Sequence, residues 1–348
     1  MGLVVLLWLS VLVLMPAPGM AAWNNPYPET ESTGNILYNS FAERPKKLDP
    51  ARSYSSNEYA FIGNIYEPPF QYHYLKRPYE LEPLTATAVP RPVYYDKAGR
   101  RLPANAAASS IAYSVYRITL KKGIRYQPHP ALATMSDGRY RYHSLTPADL
   151  EEIYRLDQFK HQGSRELKAA DYVYEIKRLA HPRLHSPIFS LMAEYIVGLR
   201  DLATTLKQAD EVHKDKQHKP WLDLRKFDLQ GVKLIDDYTY EVTIKGKYPQ
   251  FLYWMAMPFF SPIPWEADVF FSQAGMSERN LTFDWYAIGT GAYMLSKNDP
   301  NRKMVLQRNP NYRDDTYPAT GMPGHKEAGL LTDSGKMMPF INKVVFSC

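Results

Sequence analysis

The chain has 348 residues, 45% of them hydrophobic, and 42 Lys and Arg against 36 Asp and Glu leave a formal net charge of +6. That length buries a substantial core and has room for two domains, while the charge is spread without a run of five like charges and so marks no nucleic-acid partner. The only cysteine, Cys348, excludes internal disulfides, CxxC redox chemistry and cysteine-based zinc sites.

Residues Leu3 to Met15 are apolar apart from Ser10, and Pro16, Pro18, Gly19 and Ala21-Ala22 follow. The run is shorter than the roughly 20 residues needed to span a bilayer. It suits the h-region of a secretory signal peptide with cleavage near Ala22, although no Lys or Arg precedes it. No Cys stands at the cleavage site, which argues against a lipid anchor, so the expected location is the periplasm.

Ile36-Leu37-Tyr38 reads as a short strand. Asn57 to Tyr66 has near-helical apolar spacing, with Ser55 or Ser56 as N-cap, Glu58 in the first turn and Glu67-Pro68-Pro69 as the stop. Ile111 to Lys121 alternates Tyr113, Val115 and Arg117 against Tyr116, Ile118 and Leu120, which predicts a strand. Ala170 to Leu179 predicts an amphipathic helix with Val173, Ile176 and Leu179 on its apolar face. A longer helix is predicted from Ser186-Pro187, carrying Ile188, Met192, Tyr195, Leu199, Leu202 and Leu206. Gly231 to Ile244 predicts a hairpin turning at Asp236-Asp237, and Tyr248 to Met255 an aromatic helical run. Gly289 and Gly291 flank Thr290 and open a tight turn into a second hairpin, Ala292 to Ser296 and Lys303 to Gln307, turning at Asn298-Asp299-Pro300-Asn301. Phe340 to Phe346 predicts a last strand.

The chain has no GxSxG elbow, HExxH, Walker loop or GxGxxG. His181 and His185 have metal-ligand spacing, but Pro182 falls between them and no third ligand is near, so they read as solvated loop histidines. Asp236-Asp237 and Asp314-Asp315 read as turn caps. No catalytic residue, cofactor or metal site is expected. The 27 Tyr and 6 Trp are the unusual feature, since tyrosine offers flat apolar area plus a hydroxyl. Most of these rings should pave sheet faces. Three clusters in turn or helix-entry segments are the ligand-binding candidates: Tyr54, Ser55, Glu58 and Tyr59; Tyr253 and Trp254; Trp285 and Tyr286 leading to Thr290.

The phrase IGTGAYMLSKNDPNRKMVLQRNPNY, Ile288 to Tyr312, resembles the GTGPY…RNPxY element of the family 5 extracellular solute-binding proteins of ABC transporters, the oligopeptide- and dipeptide-binding relatives. Ala292 stands where that family most often has Pro. In the correct order, residues 48–67 resemble its LDP…S…E…YE phrase, and Val232 to Ile244 its V…DDYTVxIxL segment. Pro262 to Glu266 resembles xPIPxE. Tyr116 to Tyr126 and Lys168 to Arg178 resemble the halves of YxFxLRxGVKFxDG…LTAxDVxYSxxR, separated by an insertion containing Thr146-Pro147-Ala148-Asp149.

The resemblance implies an α/β fold, a class II periplasmic-binding-protein-like mixed-sheet lobe with an inserted α+β domain. The expected divisions are a signal peptide (1–22), lobe one (23–68), its inserted domain (69–228) and lobe one continued (229–348), with lobe two absent from the chain. It further implies a monomeric receptor that captures peptides and delivers them to permease subunits at the inner membrane, here as a truncated fragment. A secreted cell-wall hydrolase and a periplasmic peptide-binding chaperone are the alternatives.

Overall fold

Two sheets organise the chain in the computed structural model, which describes residues 34–41, 43–213, 216, 219–299 and 301–347. The expected signal peptide and Cys348 lie outside these residues. The described residues from 37 to 347 form one compact unit. Among the described residues no helix is long and apolar enough to cross a membrane.

The first sheet has the order β1 (Ile36–Ser40), β13 (Lys343–Ser347), β10 (Lys303–Arg308), β9 (Tyr293–Asp299). β9 and β10 are the expected hairpin, β9 running three residues past Ser296 to Asp299, where Arg302 N–H donates to the Asp299 carbonyl at 3.0 Å, and β10 starting at Lys303 as expected. β13 pairs antiparallel with β10 from Lys303↔Ser347 to Gln307↔Lys343 and so has neighbours on both edges. It begins three residues later than Phe340. Helix α1 (Ser56–Ile65) packs on this sheet through Phe61, whose ring centroid lies 4.4 Å from that of Phe346.

The second sheet has the order β5 (Arg101–Leu102), β4 (Val93–Tyr95), β6 (Tyr113–Thr119), β8 (Thr239–Lys245), β7 (Val232–Asp236). β6 and β8 pair residue for residue from Tyr113↔Lys245 to Thr119↔Thr239. The division expected at 228/229 therefore falls between strands of a single sheet. Tyr116, Ile118, Tyr240, Val242 and Ile244 point into a core that is continuous with Phe61 and Leu306. Two short ribbons complete the strands: β2 (Phe70–Tyr72) with β3 (Leu81–Pro83), and β11 (Asp315–Thr316) with β12 (Met337–Met338).

Helix α2 (Ala169–Arg178) is buried on every face rather than on the Val173–Ile176 face alone. Its polar residues have partners: Asp171 takes both terminal nitrogens of Arg165, at 2.8 and 2.7 Å, and Arg178 reaches Asp49 and Glu175. Paired charge makes that burial tolerable. The single long helix expected from Ser186 is two, α3 (Phe189–Tyr195) and α4 (Leu199–Glu211). Ile196 and Val197 leave the helix to bond the sheet, Val197 N–H donating to the Thr243 carbonyl, and Gly198 makes the restart at φ +78°.

Candidate functional site

The segment before α1 is folded back on itself by its own side chains. Ser55 caps α1 and Glu58 completes a capping box. The Glu58 carboxylate also accepts from the Lys47, Tyr54 and Ser55 backbone N–H groups and from the Ser53 hydroxyl. These bonds lower the Glu58 pKa, although burial, the largest single influence, raises it. One turn earlier Asp49 receives both terminal nitrogens of Arg178, at 2.9 and 2.7 Å, while accepting from Ala51 N–H. With its polar groups turned inward, the segment leaves Tyr54 and Tyr59 as exposed rings, 69% and 54% accessible.

A second wall comes from residues 248–259. Phe251 is buried against Tyr116 (centroids 5.5 Å apart) and anchors the single-turn helix α5 (Phe251–Trp254). Tyr248 stacks on Tyr195 at 4.0 Å, and its hydroxyl accepts from Trp254 Nε1–H at 3.1 Å. Phe259 lies 5.8 Å from Tyr54, and Tyr72 of β2 stacks on Tyr253 at 6.0 Å. These rings enclose an open cavity of about 550 Å³. A second cavity, of about 630 Å³, adjoins it at Tyr72 and carries charge: Glu82, Lys121 and Asp315 line it, together with His73. Glu82 accepts from Gln71 Nε2–H at 2.8 Å and lies 3.9 Å from His73 Nε2.

Five of the nine candidate residues, Tyr54, Ser55, Tyr59, Tyr253 and Trp254, line the aromatic cavity. Glu58 is turned away into its cap. Thr290 is buried, its hydroxyl donating to Glu67 at 2.8 Å. Trp285 and Tyr286 line a different cavity, of about 750 Å³, with Gln127 and Arg155. Tyr72, Tyr248 and Phe259 join the site as well, Tyr248 opening the aromatic run read from the sequence, the other two without a local signal. Tyr72 sits on a three-residue strand, and Phe259 in an apolar run that reads as core.

Gly289 and Gly291 have a role other than the turn geometry expected of them. Neither is in the left-handed region, but a Cβ on Gly289 would lie 1.9 Å from the Ile65 carbonyl oxygen, and one on Gly291 2.6 Å from that of Asn64. The backbone is pressed against the end of α1, and Gly291 N–H donates to the Ile65 carbonyl at 2.8 Å. Beside this contact the buried Glu67 is gripped by Arg313 Nη1 at 2.6 and 2.8 Å. Burial pushes the Glu67 carboxyl up, with Arg313 pulling against it. His181 is not the solvated histidine expected: burial lowers its pKa to about 4, and Nδ1 accepts from Arg183 N–H. His185 is exposed.

Solved structures share this architecture. Burkholderia pseudomallei OppA superposes with a TM-score of 0.51 at 16% identity, covering 90% of this chain and 42% of that one. The Escherichia coli murein tripeptide binding protein MppA does so with a TM-score of 0.51 at 17% identity, covering 90% and 41%. The fold is therefore periplasmic-binding-protein-like and of mixed α/β class. Residues 157–346, more than half of the chain, match the family described as bacterial extracellular solute-binding proteins, family 5 Middle, and the chain belongs to that family. The periplasmic oligopeptide-binding protein OppA of Salmonella typhimurium is 31% identical over 148 residues, which are 42% of this chain and 23% of that protein. This chain thus matches less than a third of that relative's length.

Proposed function

We propose that the protein is the substrate-binding component of an ABC transporter, capturing peptides in the periplasm as a monomer and passing them to permease subunits at the inner membrane. One observation carries the reading. On a family 5 fold, two segments some 200 residues apart in sequence converge, with Tyr72, on a single open cavity walled by exposed rings. Peptide binding at such a wall uses backbone hydrogen bonds and adaptable side-chain contacts. In this reading residues 37–347 supply one lobe, to which 69–228 contribute the expected insertion. The second wall of the cleft corresponds to the part of the relatives that this chain does not match. Closure requires both walls.

One wall covers one side of a ligand, so millimolar peptide affinity is expected for the 348-residue chain. Calorimetry giving micromolar or tighter binding would sink the one-lobe reading. The transport role is tested by uptake of labelled peptides in cells deleted for the intact gene, where loss of uptake is expected. Unimpaired uptake with release of cleaved peptide by the purified protein would point to the hydrolase instead.

A further inference from the structure

We infer that the aromatic cavity is a selective subsite for one uncharged aromatic side chain of the bound peptide, with Tyr72 as the residue that sets the selectivity. This rests on the peptide-binding reading above and narrows it to a class of peptide.

The chemistry of the lining points to that occupant. Serine, tyrosine, tryptophan, glutamine and apolar residues line the cavity, and none of them is Asp, Glu, Lys, Arg or His. The nearest carboxylate in sequence, Glu58, is held in its cap by Ser53, Tyr54, Ser55 and Lys47. An ammonium or carboxylate entering this space would lose hydration and find no opposite charge. A neutral ring would meet faces and edges prepared for it. Tyr54, Tyr59, Tyr253 and Tyr72 remain 69%, 54%, 43% and 38% accessible, an uncommon exposure for side chains of this size. Phe259 and Trp254 close the cavity behind them, Trp254 held by its bond to Tyr248.

Across Tyr72 the environment changes. The adjoining cavity holds Glu82, His73, Lys121 and Asp315, so a charged or polar neighbouring side chain finds partners there. Tyr72 lines both spaces, stacks on Tyr253 and meets the edge of Tyr79 at 5.3 Å. It is the partition between an uncharged and a charged compartment. Removing its ring would join them and let charged side chains share the aromatic space.

The test titrates the full chain with Ala-Phe-Ala, Ala-Ala-Ala, Ala-Lys-Ala, Ala-Glu-Ala, N-acetylphenylalaninamide and an N-acetylmuramyl dipeptide, read by calorimetry and Trp fluorescence. Expected is a preference of about tenfold for Ala-Phe-Ala over Ala-Ala-Ala, with the Lys and Glu peptides no tighter than Ala-Ala-Ala. Tyr253→Ser should abolish the Phe preference, while Tyr72→Ala should shrink the Phe-over-Lys ratio by raising affinity for the Lys peptide. A merely structural role for Tyr72 would weaken all peptides alike and overturn its assignment, and unchanged denaturation midpoints confirm that the variants are folded. Equal binding of every tripeptide would overturn the aromatic subsite and leave the peptide reading standing. N-acetylphenylalaninamide binding as well as Ala-Phe-Ala would keep the ring site and overturn peptide capture. Tightest binding by the muramyl compound would assign the rings to a sugar, and no binding by any probe at millimolar concentration would overturn both.

Discussion

Replacing Arg178 by Met removes the one cation among three carboxylates. Arg178 is fully buried, donates to both Asp49 oxygens at 2.9 and 2.7 Å and to Glu175 at 2.9 Å, and has Asp268 at 3.7 Å. Burial pushes the Glu175 carboxyl well above the usual range, so this acid can shed its charge by holding a proton. Asp49 is 2% exposed and receives the guanidinium on both oxygens, with Ala51 N–H as a further donor. Breaking a buried pair from one side costs about 3–5 kcal/mol. Against the roughly 5–15 kcal/mol of a typical fold, that is a large fraction. Arg178→Lys keeps the charge but supplies a compact ammonium in place of a planar fork, so an intermediate loss is expected. The assay is urea unfolding followed by tryptophan fluorescence, with Asp49→Asn and the double variant closing the cycle. Coupling above about 1 kcal/mol is expected for residues sharing a hydrogen-bond network. A loss below about 1 kcal/mol for Arg178→Met, or strictly additive variants, would show that the buried pair does not hold this part of the fold. Since Asp49 also braces the segment carrying Tyr54, the variant should weaken peptide binding beyond its effect on stability.

Three further outcomes follow from the geometry. Gly289→Ala would drive a Cβ to 1.9 Å from the Ile65 carbonyl oxygen, so the end of α1 must move. A loss of at least about 1–3 kcal/mol is expected in the same unfolding assay, and an unchanged midpoint would refute the close approach. Tyr54→Ala and Tyr253→Ala remove exposed rings and should shift stability by no more than about 0.5 kcal/mol while lowering affinity for Ala-Phe-Ala. Equal loss of stability and affinity would refute a binding role. Burial raises the Asp284 pKa from 3.8 to about 6 although Arg52 lies 2.5 Å away. A folded pKa above the unfolded one contributes stability that is complete below about pH 4 and is lost as pH rises through about 6. Asp284→Asn should therefore flatten the pH dependence of the midpoint between pH 4 and 7, and an unaltered profile would refute it.

Local chemistry was legible where one segment contains its own reason. The capping box at Ser55 and Glu58, the proline stop after Tyr66, the alternation of β6 and both hairpins depend on neighbours within a few residues, and the chain adopts them. The family was legible for a related cause, since its phrases are turn and cap residues in a set order. What failed in the reading involved partners distant in sequence. Helix α2 looked amphipathic because Asp171, Glu175 and Arg178 are charged, yet Arg165 and Asp49 allow all of them to be buried. The helix expected from Ser186 breaks because Ile196 and Val197 find a sheet edge.

The candidate site divides along the same line. Which aromatic clusters lie in turns and helix entries could be read along the chain, because turns and caps follow from local backbone chemistry. That Tyr54, Tyr59, Tyr253 and Trp254 share one cavity, completed by Tyr72, Tyr248 and Phe259, follows from packing in three dimensions alone. That packing also separated Trp285 and Tyr286 into another space and buried Thr290 against Glu67. A cavity is a relation between surfaces, set by how α1, β2 and the 248–259 segment pack, and no local pattern of residues encodes that distance.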